Sequence, residues 1–121
     1  MFQLPWILMA LLGAGSLLVL SLAWVFYKDP VEGMAQATHR PEQLPLVMID
    51  RYVAVAVIQI GLVLFGNLQM AAMFCVAGMI MGFGDGYIYA RAGHPHIKHT
   101  LSGVLALVGL VLTLYFIAAG V

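Results

Sequence analysis

The sequence predicts an all-α membrane domain: a four-helix transmembrane bundle with a short interfacial helix after the first span, with residues 1–121 as a single integral membrane domain. Three observations predict it. Hydrophobic residues make up 64% of the chain and charged residues 8%, against roughly 25% charged in an ordinary soluble domain. Four apolar runs, at about 4–27, 46–66, 68–90 and 100–121, are each long enough to cross a hydrocarbon core of about 30 Å at about 1.5 Å per residue. The five basic residues all lie in or beside two of the three connections between those runs.

Composition also excludes some classes of function. Net charge is zero and the five Lys and Arg residues stand singly, so no basic stripe or tail invites nucleic acid. The single cysteine, Cys75, allows no intrachain disulfide framework and is expected to serve packing. No G-x-S-x-G elbow, phosphate-binding glycine loop or C-x-x-C occurs, which leaves the common soluble enzyme signatures unrepresented.

Residues 4–27 carry no charge. The first charged residue, Lys28, follows the apolar run, which predicts an uncleaved helix because a signal peptide opens on a basic segment. Trp6 at one end, and Trp24 and Tyr27 at the other, suit the aromatic belts of the two interfaces. Residues 28–45 are the longest polar connection. In it Asp29, Pro30 and Glu32 occupy the cap, first and third positions of a helix start. A short helix over about Val31 to Thr38 is expected to lie at the interface, with Val31, Met34 and Ala35 towards lipid or protein. Pro41 and Pro45 then redirect the chain. The second span opens on Asp50 and Arg51 and is interrupted only by Gln59; the turn Gly66-Asn67 leads back into the third. The fourth span is uncharged.

Lys28, Arg40, Arg51, Arg91 and Lys98 all lie in or next to the first and third connections. The positive-inside rule then predicts loops 28–45 and 91–99 in the cytoplasm, with both termini and the Asn67 turn outside.

In the third span Gly78, Gly82 and Gly86 recur every fourth residue. Small residues at this spacing allow close helix approach, either to another span of the same chain or to a second copy. Asp85 lies beside that row, six residues or about 9 Å inside Arg91. Arg51 sits at a similar depth in the second span and is the expected partner, since a charge at this depth is normally paired. Such a pair acts as a structural device that sets helix register, or it leaves Asp85 as an acid or base in a cleft, with Tyr87 or a histidine assisting. Arg51, Asp85, Arg91 and His99 are the candidate ligand-binding residues. His94, His96 and His99 form H-x-H-x-x-H, a weak candidate for metal; at a membrane surface histidines need no ligand, and no cofactor is expected.

One clean span, an Asp-Pro led loop ending near a proline, Asp50-Arg51 opening the second span, and F-G-D-G-x-x-x-x-R-x-G closing the third with His99 before the fourth together carry a resemblance. This layout resembles a large family of small four-span membrane proteins of unknown function and, in more distant outline, the DoxX-like proteins. The resemblance covers most of the chain and implies that Arg51 and Asp85 form the family's polar pair. The chain departs from the pattern in its second span, where members carry a further Arg-Asp pair and this sequence has Ala56 to Gln59.

The expected role is binding or assembly in the lipid bilayer, as an accessory subunit of a larger membrane complex, a homo-oligomer, or a binder of a lipophilic small molecule. An intramembrane isomerase or cyclase using Asp85 is second. Small four-span transporters match in size but use an acidic residue in the first span, which this chain lacks, so transport ranks third.

Overall fold

The computed structural model describes residues 4–121, and the all-α class and the four long apolar helices are as the sequence predicts. Helix α1 spans Trp6–Lys28, α2 Pro30–Gln36, α3 Leu44–Phe65, α4 Leu68–Arg91 and α5 Ile97–Ala118, with one turn of 3-10 helix, Pro41–Gln43, leading into α3. No strand occurs among the described residues. The four long helices are each long and apolar enough to cross a membrane, counting Pro41–Phe65 as one of them. By length and composition, then, this is an integral membrane protein. The chain divides into two compact units, Met1–Val53 and Ala54–Val121.

In the first unit, the hydroxyls of an otherwise apolar α1 are satisfied within the helix: Ser16 donates to the Leu12 carbonyl at 2.9 Å and Ser21 to that of Leu18 at 2.7 Å. Back-bonding of this kind removes the cost of an unpaired polar group in hydrocarbon. The end of α1 is marked by Lys28, whose Nζ lies 4.9 Å from the Trp24 ring centroid, and by Tyr27 stacked on Trp24. Asp29 both ends α1 and caps α2, its carboxylate accepting from the Val31 and Glu32 amides at 3.1 Å each. Pro30 takes the first helical position, where its missing N–H leaves no donor unmet. Glu32 does not complete a reciprocal capping box; its side chain accepts from Gln36 Nε2 at 2.9 Å. Gly33 is the buried residue of α2 because Phe26 of α1 lies against it: a Cβ there would be 2.6 Å from the Phe26 ring.

In the second unit Asn67 caps α4, its side-chain oxygen accepting from the Met70 amide at 2.9 Å. Close packing in this unit is between α4 and α5, which run antiparallel. Gly82 meets the backbone of Gly103 and the Ser102 hydroxyl, Gly86 meets Thr100, Gly78 meets Ala106, and Cys75 meets Gly109. Paired positions fall on one helix as they rise on the other, so the glycine row of α4 lies along a matching row of small residues on α5. Gly82, Gly86, Gly103 and Thr113 are the buried residues of these two helices. Without a hydrophobic drive between helices in lipid, such close backbone contact is the main source of their attraction. Thr113 adds no unmet donor, since its hydroxyl bonds to the Gly109 carbonyl at 2.7 Å.

The ends of α2, α4 and α5 share one geometry. After α4, the Gly93 amide bonds to the Ala90 carbonyl at 3.1 Å and the His94 amide to that of Tyr89 at 2.9 Å, with Gly93 at φ +78°. This is a Schellman ending, in which a left-handed residue lets the chain turn back on the last carbonyls. Helix α5 starts three residues before the expected Thr100. The chain has already turned at Gly93 to Pro95, so Ile97, Lys98 and His99 are free to join the first turn. That extension puts His99 on a helix, where its direction is set.

Candidate functional site

The polar residues of the second unit gather where α4 ends and α5 begins. Asp85 and Tyr89 are one turn apart on α4 and share a face. His99, in the first turn of α5, comes to that face: its Nδ1 is 3.7 Å from Asp85 Oδ2, the only salt bridge among the described residues. The two are a charge pair when the imidazole is protonated. Tyr89 lies flat against His99, with ring centroids 4.8 Å apart and planes 21° from parallel. His94 meets the same tyrosine edge-on, at 6.4 Å and 70°. Tyr89 thus holds one imidazole by its face and a second by its edge, in the geometry aromatic quadrupoles favour.

The carboxylate remains open. The Asp85 side chain is 54% exposed and that of His99 37%, so both present polar atoms beside the apolar surface of the helix pair. The neighbouring Gly82 and Gly86 are covered by α5. Absence of side chains at those positions is what lets α5 come near enough for His99 to reach Asp85.

The other expected residues of this unit fall elsewhere. Tyr87 is two residues from Asp85, about 200° around the helix, and its hydroxyl accepts from Arg91 Nη1 at 3.4 Å. Tyr87 and Arg91 therefore form a separate pair on the far side of α4. His96 shares a hydrogen bond of 3.1 Å between its Nδ1 and the Thr100 hydroxyl, which occupies it at the start of α5. Among the described residues no group of three or more His, Cys, Asp or Glu side chains is placed to hold a metal ion; His94, His96 and His99 turn to Tyr89, Thr100 and Asp85 respectively. Arg51 stands exposed on α3 in the first unit.

Tyr89 is the site residue that the motifs did not single out. Its signal was present as the four-residue spacing from Asp85, which places both on one helix face. The partner row on α5 was also written in the chain, as Thr100, Gly103, Ala106 and Gly109 at every third position.

Carboxylate, imidazole and phenol ring, half-open beside two apolar helices, define a small polytopic membrane protein with one polar corner. Such a corner can accept a hydrogen bond or a positive charge at Asp85 and can donate or accept a proton at His99. No family model matches the sequence, and neither a curated protein nor a solved structure matches it.

Proposed function

We propose that this protein acts in the bilayer by binding or assembly, and that the corner formed by Asp85, His99 and Tyr89 is where it takes a lipophilic molecule carrying a polar, hydrogen-bond-donating group. The observation that carries this reading is the half-exposed Asp85 carboxylate, 3.7 Å from His99. A carboxylate kept only to set helix register would be expected to face its partner and be covered. Arg51 belongs to the same proposal as a second partner of Asp85, as the resemblance to small four-span membrane proteins implies; Arg91, paired with Tyr87, stands outside it. Assembly with a second copy, or as an accessory subunit, supplies the ligand's second wall or replaces the ligand.

A second reading follows from the same pair. A carboxylate beside an imidazole whose ring is held by stacking is an acid–base couple. On that reading Asp85 and His99 move a proton within a lipophilic substrate, as in an isomerisation or cyclisation, and Tyr87 lies outside the reacting group. Both readings keep the orientation argued from the basic residues, with loops 28–45 and 91–99 in the cytoplasm and both termini outside. A reporter fused after Val121 that is active only in the cytoplasm would overturn that orientation.

Native mass spectrometry of the protein extracted with its surrounding lipid tests the site. The expected result is a reproducible extra mass that is retained by the wild type and lost in Asp85→Asn, while circular dichroism shows the helices intact. A product mass that accumulates with wild type and not with Asp85→Asn would favour the enzyme. Bare protein with no retained molecule, alone or in multiples, would overturn the ligand site and leave assembly.

A further inference from the structure

The connection that follows α1 forms a groove of about 700 Å³ that has no part in the polar corner. Val31, Met34 and Ala35 of α2 supply its apolar side; Thr38, His39 and Arg40 supply its polar rim. All of it lies in the first unit, and it begins two residues after the Trp24, Tyr27 and Lys28 cluster. Stacked aromatics with a lysine over the ring mark the headgroup level of a membrane. A groove that begins beside such a cluster suits the level where a lipid's phosphate meets the first methylenes of its chains.

Charge and backbone both indicate an occupant. Among the described residues no carboxylate lies within salt-bridge distance of Arg40. Of the three acidic groups on this connection, Asp29 is spent on the cap of α2, Glu32 accepts from Gln36, and Glu42 neither lines the groove nor pairs with Arg40. Thr38 has φ +58°. It sits at the left-handed position of a Schellman ending, with its amide on the Ala35 carbonyl and the His39 amide on that of Met34. At the corresponding position after α4 and α5 the chain uses Gly93 and Gly120. A β-branched residue there is a genuine outlier, and backbone strain of this kind is concentrated at ligand clamps and active sites. Here the strained residue is the one that turns the chain so that His39 and Arg40 close the groove.

We infer that the groove binds one anionic membrane phospholipid, its phosphate on Arg40 with His39 alongside, and the start of an acyl chain along Val31, Met34 and Ala35. An apolar side of three residues gives a free phosphate ion nothing to hold, whereas it suits the glycerol and first methylenes of a lipid. Arg40 meets a phosphate in either headgroup, but only a headgroup without its own ammonium leaves that phosphate uncompensated, which supplies the preference for an anionic lipid. The inference goes beyond the polar corner and stands apart from it, since the two lie in different units.

The test uses the full chain in a neutral detergent, mixed with dioctanoyl phosphatidylglycerol or dioctanoyl phosphatidylcholine at equal concentration. Native mass spectrometry reads the fraction carrying one lipid. Wild type is expected to retain the anionic lipid about fivefold more than the zwitterionic one, the scale set by one basic residue at a membrane surface. Arg40→Gln lowers the anionic lipid to the level of the zwitterionic one, and Ala35→Glu lowers both. Lys98→Gln, a basic residue of the other loop, leaves both unchanged. Equal retention of the two lipids by wild type would overturn the inference, as would wild-type binding by Arg40→Gln or by Ala35→Glu. An equal loss in Lys98→Gln would reduce the effect to general surface charge, and displacement by the same concentration of inorganic phosphate would make the site one for a free anion.

Discussion

Gly82 of α4 lies against the backbone of Gly103 of α5 so closely that a Cβ on Gly82 would come within 2.6 Å of the Gly103 Cα. Backbone on one side and backbone on the other leave no flexible side chain to move aside. The contact also governs the polar corner, because Asp85 is three residues from Gly82 and His99 is four from Gly103.

Enlarging Gly82 is therefore expected to open the helix pair. Gly82→Leu should lower the thermal midpoint in detergent micelles by more than an ordinary overpacked core substitution, which costs about 1–3 kcal/mol. Gly84→Leu is the control, since nothing lies within 4 Å of a Cβ there, and it should change little. Equal losses in the two variants would count against packing of the glycine row within the chain.

The direct pairing of Asp85 and His99 is expected to be weak. At 3.7 Å it is longer than a good charge-assisted hydrogen bond of about 2.7–2.9 Å, and both side chains are partly open. A double-mutant cycle with Asp85→Asn and His99→Gln should give a coupling of about 0.6 kcal/mol, the typical value for polar pairs between membrane helices. Coupling above about 2 kcal/mol would identify the pair as a structural element in its own right.

Asp29 is the residue that makes α2 a helix. Seven residues are too few to be stable alone, and Pro30 and Asp29 together define the start. Asp29→Ala should cost about 1 kcal/mol and speed hydrogen exchange at the Val31 and Glu32 amides about fivefold. Unchanged exchange at those two amides would mean that the contact of Gly33 with Phe26 holds α2 without its cap.

Thr38 and Gly93 occupy the same place in two Schellman endings with opposite chemistry. The left-handed region costs a residue with a Cβ about 1–2 kcal/mol, so Gly93→Thr should destabilise the α4 to α5 turn by about that much. Thr38→Gly relieves the same cost while giving the unfolded chain more freedom, worth about 0.4–1 kcal/mol in the other direction. Its net effect should be a small gain in thermal stability. A clear loss would show that the Thr38 side chain holds the turn by its own contacts.

Helix number, the helix starts at Asp29 and Asn67 and the turn at Gly66 were all readable from local chemistry. A cap, a proline at the first helical position and an apolar run each act within a few residues, so the chain's order is enough to state them. Even the row Gly78, Gly82, Gly86 could be read as a contact face. Its partner could not be chosen, because an intrachain helix and a second copy ask for the same spacing.

What the sequence by itself determined is that this protein has four apolar helices, a capped short helix and a few ionisable residues near the helix ends, since hydropathy, length and capping are properties of contiguous residues. Only the tertiary structure decided that α5 supplies the small row facing Gly82, that His99 and Tyr89 attend Asp85, and that Tyr87 turns away to Arg91. Those outcomes depend on the register of two antiparallel helices and on the angle at which each side chain leaves its own. Register is set by close backbone contact between residues far apart in the chain. No local pattern contains it.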